Sequence, residues 1–321
     1  MIKILQIREN KPGGTDNYCR GLERLLADDA DCRVLPVTDI IQHPSRLFHY
    51  TYRDSELEPY VAEADIVHVN GYTAQGTIDA MRLAHRLGKK VVYTAHFHPF
   101  CYLGHPLAGR LFFQLKMRPA IQRYADAVTT INNEDTRFFS ALHPRVYQIP
   151  HWNDTPYEAL STTDRNSRMV LFVGRFDDHV KGFQQLAALP EGHYDIHCVG
   201  SGDMPFERAD ITRHQHLSRE ELKLLYRQAS LLVIPSKYEA FSFVALEAMV
   251  QGTPVVMSER VRIADYLEGV NGYAVYRYGD SADFVSKVSQ TIGTVVDTAA
   301  IRQRFDAQRI TAQYKQLYQS L

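Results

Sequence analysis

The chain has 321 residues, enough for two domains of about 150 residues, each with its own core. Lys plus Arg number 36 and Asp plus Glu 37, a formal net charge of -1 that lacks the basic excess expected of a protein binding bulk nucleic acid. With 45% hydrophobic and 23% charged residues the chain is not disordered, and no apolar run approaches the roughly 18 residues a membrane span needs.

The opening Met-Ile-Lys-Ile-Leu-Gln-Ile-Arg is too short and too interrupted by charge for a signal peptide, and reads as a first strand. In chain order, strands are predicted over Ile2–Ile7, Cys32–Val37, Ile66–Val69, Val91–Thr94, Ala127–Ile131 and Val146–Ile149. Helices fall between them over Asn17–Leu26, Thr77–Leu87, Ala108–Tyr124 and Glu134–Leu142. The stretch 151–167, rich in Asn, Asp, Thr, Ser and Pro, reads as a linker. The alternation then restarts, with strands over Met169–Val173, His197–Val199, Leu231–Ile234 and Pro254–Met257, and helices over Phe183–Leu189, Arg219–Gln228 and Phe241–Gln251. From Asp297 a Gln- and Arg-rich helical pattern runs to the end and could fold back across either half. Alternating β and α implies parallel sheets covered by helices. The expected architecture is α/β: two Rossmann-like doubly wound domains facing each other across a cleft. They take residues 1–150 and 168–296, with a C-terminal helical segment, 297–321, crossing back to the first.

Cys19, Cys32, Cys101 and Cys198 contain no CxxC pair and read as thiols of a reducing compartment, so the expected location is the cytoplasm. The pairs His96/His98 and His214/His216 lack an evident third ligand, so no metal is expected.

In doubly wound sheets ligands bind beyond the carboxyl ends of the strands. The loop Asn10-Lys11-Pro12-Gly13-Gly14-Thr15 after the first strand pairs two glycines with a helix start, which suits an anion. In Gly174-Arg175-Phe176-Asp177-Asp178-His179-Val180-Lys181-Gly182, two cations on one strand-to-helix loop suit a diphosphate. In Pro235-Ser236-Lys237-Tyr238-Glu239-Ala240-Phe241-Ser242-Phe243-Val244-Ala245-Leu246-Glu247, Ser242 is a candidate N-cap and the amides of Phe241, Ser242 and Phe243 lie at the helix start. Glu247 follows in the second turn. Two carboxylates flanking an amide nest suit a ligand with hydroxyls on both sides of a diphosphate: a nucleotide sugar.

Glu239 and Glu247 form an E-x7-E motif, and Gly174-Arg175 with Lys181-Gly182 a GR…KG element. With Leu225-Tyr226-Arg227-Gln228-Ala229-Ser230, Ala248-Met249-Val250-Gln251-Gly252-Thr253-Pro254 and Asn271-Gly272, the sequence resembles retaining GT-B glycosyltransferases of the glycosyltransferase 4 family, densely over 168–275. The resemblance implies a retaining hexosyltransferase moving a sugar from a nucleoside-diphosphate donor to a saccharide or lipid-linked saccharide, as in synthesis of cell-surface polysaccharide or glycoconjugate. It implies no cofactor and no bound metal, with the leaving phosphate deprotonating the acceptor. Arg175 and Lys181 would bind the diphosphate, Glu247 the ribose, and Glu239 the sugar hydroxyls, aided by backbone of Ala240, Phe241, Ser242 and Phe243. Gly13 and Gly14 would close over the phosphates. His96, directly after Tyr93-Thr94-Ala95, resembles the family's strand-end histidine facing sugar and acceptor.

Three departures bear on donor identity: Ser242 where the family has glycine, His216 where a glycine often precedes the helix, and Glu259-Arg260-Val261-Arg262-Ile263-Ala264-Asp265 without the usual glycines. The first two motivate a rival reading, a non-catalytic nucleotide-sugar-binding partner subunit. A nucleotide-sugar epimerase or a phosphorylase shares the two-domain plan. Gly200-Ser201-Gly202-Asp203-Met204-Pro205 imitates a dinucleotide fingerprint but lacks the third glycine and meets Pro205 where a helix should begin. The segment 105–123 mixes leucines and phenylalanines with Arg110, Lys116, Arg118 and Arg123. It reads either as a helix packed on the sheet with snorkelling cations or as a peripheral contact with the cytoplasmic face of a membrane.

Overall fold

A computed structural model describes residues 1–9, 13–35, 43–44, 50–71, 74–100, 106–153, 165–215 and 217–321. Asn10–Pro12, Cys101, His105, His216 and most of the expected linker lie outside the described residues. The chain divides into two units, one of Met1–His151 with Ala307–Leu321, the other of Trp152–Asp306.

The first unit contains β1 (Ile2–Arg8), α1 (Gly14–Leu25), β2 (Ala30–Val34), β3 (His43–Pro44), β4 (Tyr50–Thr51), α2 (Asp54–Glu63), β5 (Ile66–Gly71), α3 (Gln75–Arg86) and β6 (Lys90–Ala95). It continues through α4 (Pro106–Phe112), a π-turn (Phe113–Met117), α5 (Arg118–Tyr124), β7 (Ala127–Thr130), α6 (Asn133–Ser140) and β8 (Val146–Gln148). Its main sheet has the order β2-β1-β5-β6-β7-β8 and is parallel throughout. Every residue of β5 is buried, the polar His68 and Asn70 included, as befits a central strand covered on both faces.

The second unit contains β9 (Asn166–Val173), a 3-10 helix (Phe183–Ala188), β10 (Asp195–Val199), β11 (Ile211–His214), α7 (Arg219–Gln228), β12 (Ala229–Ile234) and α8 (Phe243–Val250). Then come β13 (Val255–Ser258), a 3-10 helix (Arg262–Tyr266), β14 (Tyr273–Tyr276), α9 (Ser281–Thr291) and α10 (Thr298–Arg304). Its parallel sheet has the order β11-β10-β9-β12-β13-β14, so strand order reverses between β9 and β12. Ligands collect at such a reversal, and the two loops that open there carry the charged residues singled out above.

Several elements depart from the sequence pattern for physical reasons. The expected helix over Phe183–Leu189 is a short 3-10 turn, because Pro190 forces Leu189 to an extended conformation (ψ 136°). The helix expected from Phe241 begins at Phe243, with Ser242 as its N-cap. The helix through Ala108–Tyr124 is interrupted by the π-turn. Pro119 has no N–H for the carbonyl of Leu115, and its ring crowds that carbonyl, so the backbone widens there. The terminal pattern is two helices. α10 belongs to the second unit, whereas α11 (Ala307–Gln319) belongs to the first. The break falls at Phe305, whose ring is buried against Phe241 and Tyr266 and whose carbonyl accepts from Asn153 N at 2.8 Å.

Candidate active site

The loop after β9 starts with Gly174, whose N–H donates to Val199 O at 2.9 Å. Arg175 follows and forks onto Asp177, with Nε to Oδ1 at 3.3 Å and an Nη to Oδ2 at 3.1 Å. Its side chain is 65% exposed, and the arginine beside Asp177 holds that carboxyl below its ordinary range. The chain then reaches Lys181 and Gly182. Gly182 has φ 71°, and a Cβ there would fall 1.9 Å from Pro235 O, so only glycine lets this loop lie against the one after β12. Lys237 N to Val180 O at 2.7 Å and Gln185 Nε2 to Pro235 O at 2.9 Å fasten the two loops together.

That fastening brings Lys181 to Glu239 across 58 positions of sequence: Nζ lies 3.1 Å from Oε1. Ser236 Oγ donates to the same oxygen at 2.8 Å. The backbone of Glu239 is held as firmly, its N donating to Arg260 O and its O accepting from Arg262 N. The segment Glu259–Asp265, lacking glycine, thus forms a single parallel bridge, Glu239 with Val261.

Ala240 and Phe241 turn their side chains into the core, 6% and 4% exposed, leaving the backbone as what they can offer a ligand. Ser242 caps α8, its hydroxyl accepting from Ala245 N at 3.3 Å. Its φ of 171° is ordinary extended backbone, so serine replaces the family's glycine without strain and spends its hydroxyl on the helix. Phe243 is half-buried at the helix start. One turn on, Glu247 accepts a hydrogen bond at Oε2 from Tyr226 Oη, 3.2 Å away. The phenol is buried beside this carboxylate, and burial followed by the charge of Glu247 pushes its pKa well up, so it stays a donor.

In the first unit Gly13 is the N-cap of α1 with φ 151°, and neither Gly13 nor Gly14 has anything within 4 Å of where a Cβ would stand. His96 sits directly after β6 but is 5% exposed. Its Nε2 donates to Asn70 Oδ1 at 3.1 Å, and the ring packs edge-on to Tyr18 and stacks on His151. Burial lowers its pKa to about 3, so it is neutral. His98 is engaged elsewhere, accepting from Phe100 N at 3.3 Å. His214 of the other pair contacts His197 at 2.9 Å.

Among the second-unit residues expected to act together, the structure brings Lys181 to Glu239 directly and sets Arg175 on the same loop as Lys181, beyond the strand end. Four supporting groups escape the sequence reading: Asp177, Ser236, Tyr226 and Asn70. Asp177 and Ser236 stand two and three positions from the residues they hold and were open to notice. Tyr226 and Asn70 act over 21 and 26 positions, where spacing carries no signal. The glycines of the false dinucleotide fingerprint also gain a reason. A Cβ on Gly200 would meet Gly174 O at 1.9 Å, and one on Gly202 would meet Asp177 Oδ1 at 2.3 Å. They let the loop after β10 pack on the Arg175 loop.

Residues 167–293 match the family described as glycosyl transferases group 1. An uncharacterized glycosyltransferase of Methanocaldococcus jannaschii is 39% identical over 127 residues, which are 35% of this chain and 32% of that protein, so the match spans about a third of its length. A phosphatidyl-myo-inositol mannosyltransferase of Propionibacterium freudenreichii is 24% identical over 312 residues, 85% of this chain and 81% of that one. Among solved structures, HepE of Anabaena in complex with UDP-glucose superimposes with a TM-score of 0.75 at 18% identity, over 100% of both chains. The fold is therefore of the GT-B type, with two Rossmann-like units, and its second unit carries a glycosyl transferases group 1 domain.

Proposed function

We propose that the protein is a retaining glycosyltransferase of the glycosyltransferase 4 type, moving a hexose from a nucleoside-diphosphate sugar to a saccharide or lipid-linked saccharide, in the making of cell-surface polysaccharide or glycoconjugate. The observation that carries this reading is the Lys181–Glu239 pair, 3.1 Å apart at the reversal of strand order, with Arg175 on the same loop as Lys181 and Glu247 on the helix that follows.

In this mechanism Arg175 turns from the exposed Asp177 to the donor diphosphate. Lys181 meets a phosphate oxygen while keeping its bond to Glu239, since an ammonium has three N–H donors. As the bond between the anomeric carbon and the phosphate oxygen breaks, charge grows on the leaving diphosphate, where both cations stabilise it. The acceptor hydroxyl forms its bond to the anomeric carbon from the face that the diphosphate leaves, and its proton passes to the leaving phosphate. Glu239 holds sugar hydroxyls, Glu247 the ribose, and the amides around Ser242 the phosphates. In the first unit the backbone of Gly13 and Gly14 is open to an anion, whereas His96, buried and neutral, has no standing charge to offer sugar or acceptor. No cofactor or metal enters.

A thermal-shift screen of UDP-, GDP- and ADP-sugars, followed by turnover with the donor found, tests the proposal. Arg175→Ala and Lys181→Ala should each lower kcat/KM on the order of 10²-fold. Near-native kinetics in both would remove the diphosphate assignment. Binding without turnover for any acceptor would instead favour a nucleotide-sugar-binding partner subunit, and turnover of the donor with no acceptor would favour an epimerase.

A further inference from the structure

The segment that forms α4, the π-turn and α5 is apolar on two opposite sides. Its inner side, with Phe112, Phe113, Met117, Ala120 and Ile121, is buried in the core of the first unit. On the outer side Leu107, Leu111 and Leu115 are 76%, 60% and 68% exposed. Among the described residues only six large hydrophobics are exposed, and these three make up half of them, on the continuous helical stretch of α4 and the π-turn. A straight α-helix turns positions four apart by about 40° from one another. The wider π-turn beginning at Phe113 takes back part of that drift, so Leu115 stays in line with Leu107 and Leu111.

Between Pro106 and Tyr124 there is no Asp or Glu, whereas Arg110, Lys116, Arg118 and Arg123 are all exposed. The whole chain has a net charge of -1, so this concentration of positive charge is local. A row of leucines bordered by cations is what an interfacial helix offers to lipid: side chains enter the acyl boundary while Arg and Lys meet anionic headgroups. A second copy of the same face would bring like charges together, which disfavours self-association. No helix among the described residues is long and apolar enough to cross a membrane, so the contact is one of lying on the surface. We infer that the outer face of α4 and the π-turn docks the protein on an anionic lipid bilayer. The inference stands apart from the transfer chemistry and needs neither donor nor acceptor.

The test is co-sedimentation of the full chain with vesicles of phosphatidylcholine mixed with phosphatidylglycerol, against vesicles of phosphatidylcholine alone. The protein should sediment with the anionic vesicles, and much less with the neutral ones or when salt is raised to about 0.5 M. The triple variant Leu107→Ser/Leu111→Ser/Leu115→Ser and the charge-reversed Lys116→Glu/Arg118→Glu should each weaken binding about tenfold or more, with unchanged melting temperature. All five positions are exposed, so neither variant disturbs the core. The inference is overturned by absence of binding to anionic vesicles, by equal binding to neutral ones, or by native binding of either variant. It is equally overturned if the unaltered protein is a dimer that the triple variant makes monomeric, which would give the face to a second copy.

Discussion

Glu239 and Glu247 are carboxylates eight positions apart, yet each is held by a different kind of neighbour. Glu239 has a cation and a hydroxyl on one oxygen, Lys181 and Ser236, whereas Glu247 has the phenol of Tyr226. The difference separates their roles experimentally. Glu239→Gln removes a negative charge from beside the diphosphate position and releases Lys181 from its partner. The variant should bind the free nucleoside diphosphate at least as tightly as the native protein, while kcat falls about tenfold or more for want of a carboxylate on the sugar. Equal losses in nucleotide affinity and kcat would contradict this division. Tyr226→Phe removes one hydrogen bond, worth about 1 kcal/mol, from Glu247. It should raise the donor KM about fivefold with kcat little changed, and a fall in kcat alone would place Glu247 with the sugar rather than the ribose.

At the scale of elements, Gly182 decides whether the two loops of the candidate site come together, and Ser242 how firmly α8 is capped. Gly182→Ala puts a Cβ against Pro235 O in a left-handed conformation, which costs about 1–3 kcal/mol for the backbone before the clash is counted. The loops after β9 and β12 should separate, and donor stabilisation in a thermal melt should vanish. Ser242→Ala leaves the backbone untouched and removes only the cap of α8. It should lower stability by about 1 kcal/mol in denaturant titration, whereas Ser242→Gly should cost only a few tenths. The same contrast between interior and edge explains what the sequence reveals. β12 is buried throughout, and β6 and β9 contain the buried apolar stretches Val91–Tyr93 and Met169–Phe172, which composition announces. β11 and β14 are edge strands of four residues each, too short for a period to show: Ile-Thr-Arg-His is largely polar, and Tyr-Ala-Val-Tyr is apolar but mostly half-buried. α2 buries only Leu57 and Val61 and contains Pro59, so its helical period is faint. The charged loops of the second unit are legible because the residue types are rare together, while Tyr226 meets Glu247 only once α7 lies beside α8, and Asn70 meets His96 only once β5 lies beside β6.

The molecule as a whole gains its first unit from two pieces of chain, because α11 packs over α1 and β5. Tyr18 Oη donates to Tyr314 Oη at 2.8 Å, and Tyr318 Oη meets His68 Nδ1 at 2.7 Å. Under this cover lie three histidines, His68, His96 and His151, each 5% exposed or less. Burial lowers His68 and His96 to about 3 and His151 well below its usual value, and the proximity of His96 adds to the effect on the other two. The unfolded chain binds protons at these rings below a pH of about 6.5, whereas the folded unit does not until the pH approaches the lowered values. Stability is therefore unaffected by them above about 6.5 and falls as the pH drops beneath it, by about 1.4 kcal/mol per pH unit for each ring. At pH 5 the loss should reach about 2 kcal/mol for each of His68 and His96, with His151 acting in the same direction. Hydrogen exchange at β5 and β6, followed from pH 7.5 to 5 and corrected for intrinsic rates, should show this loss in the first unit. The variant His151→Asn should flatten the slope. A slope unchanged by that substitution would mean that His151 is protonated, or reaches water, in the folded protein. Its stacking on His96 would then no longer be evidence of a dry, neutral cluster.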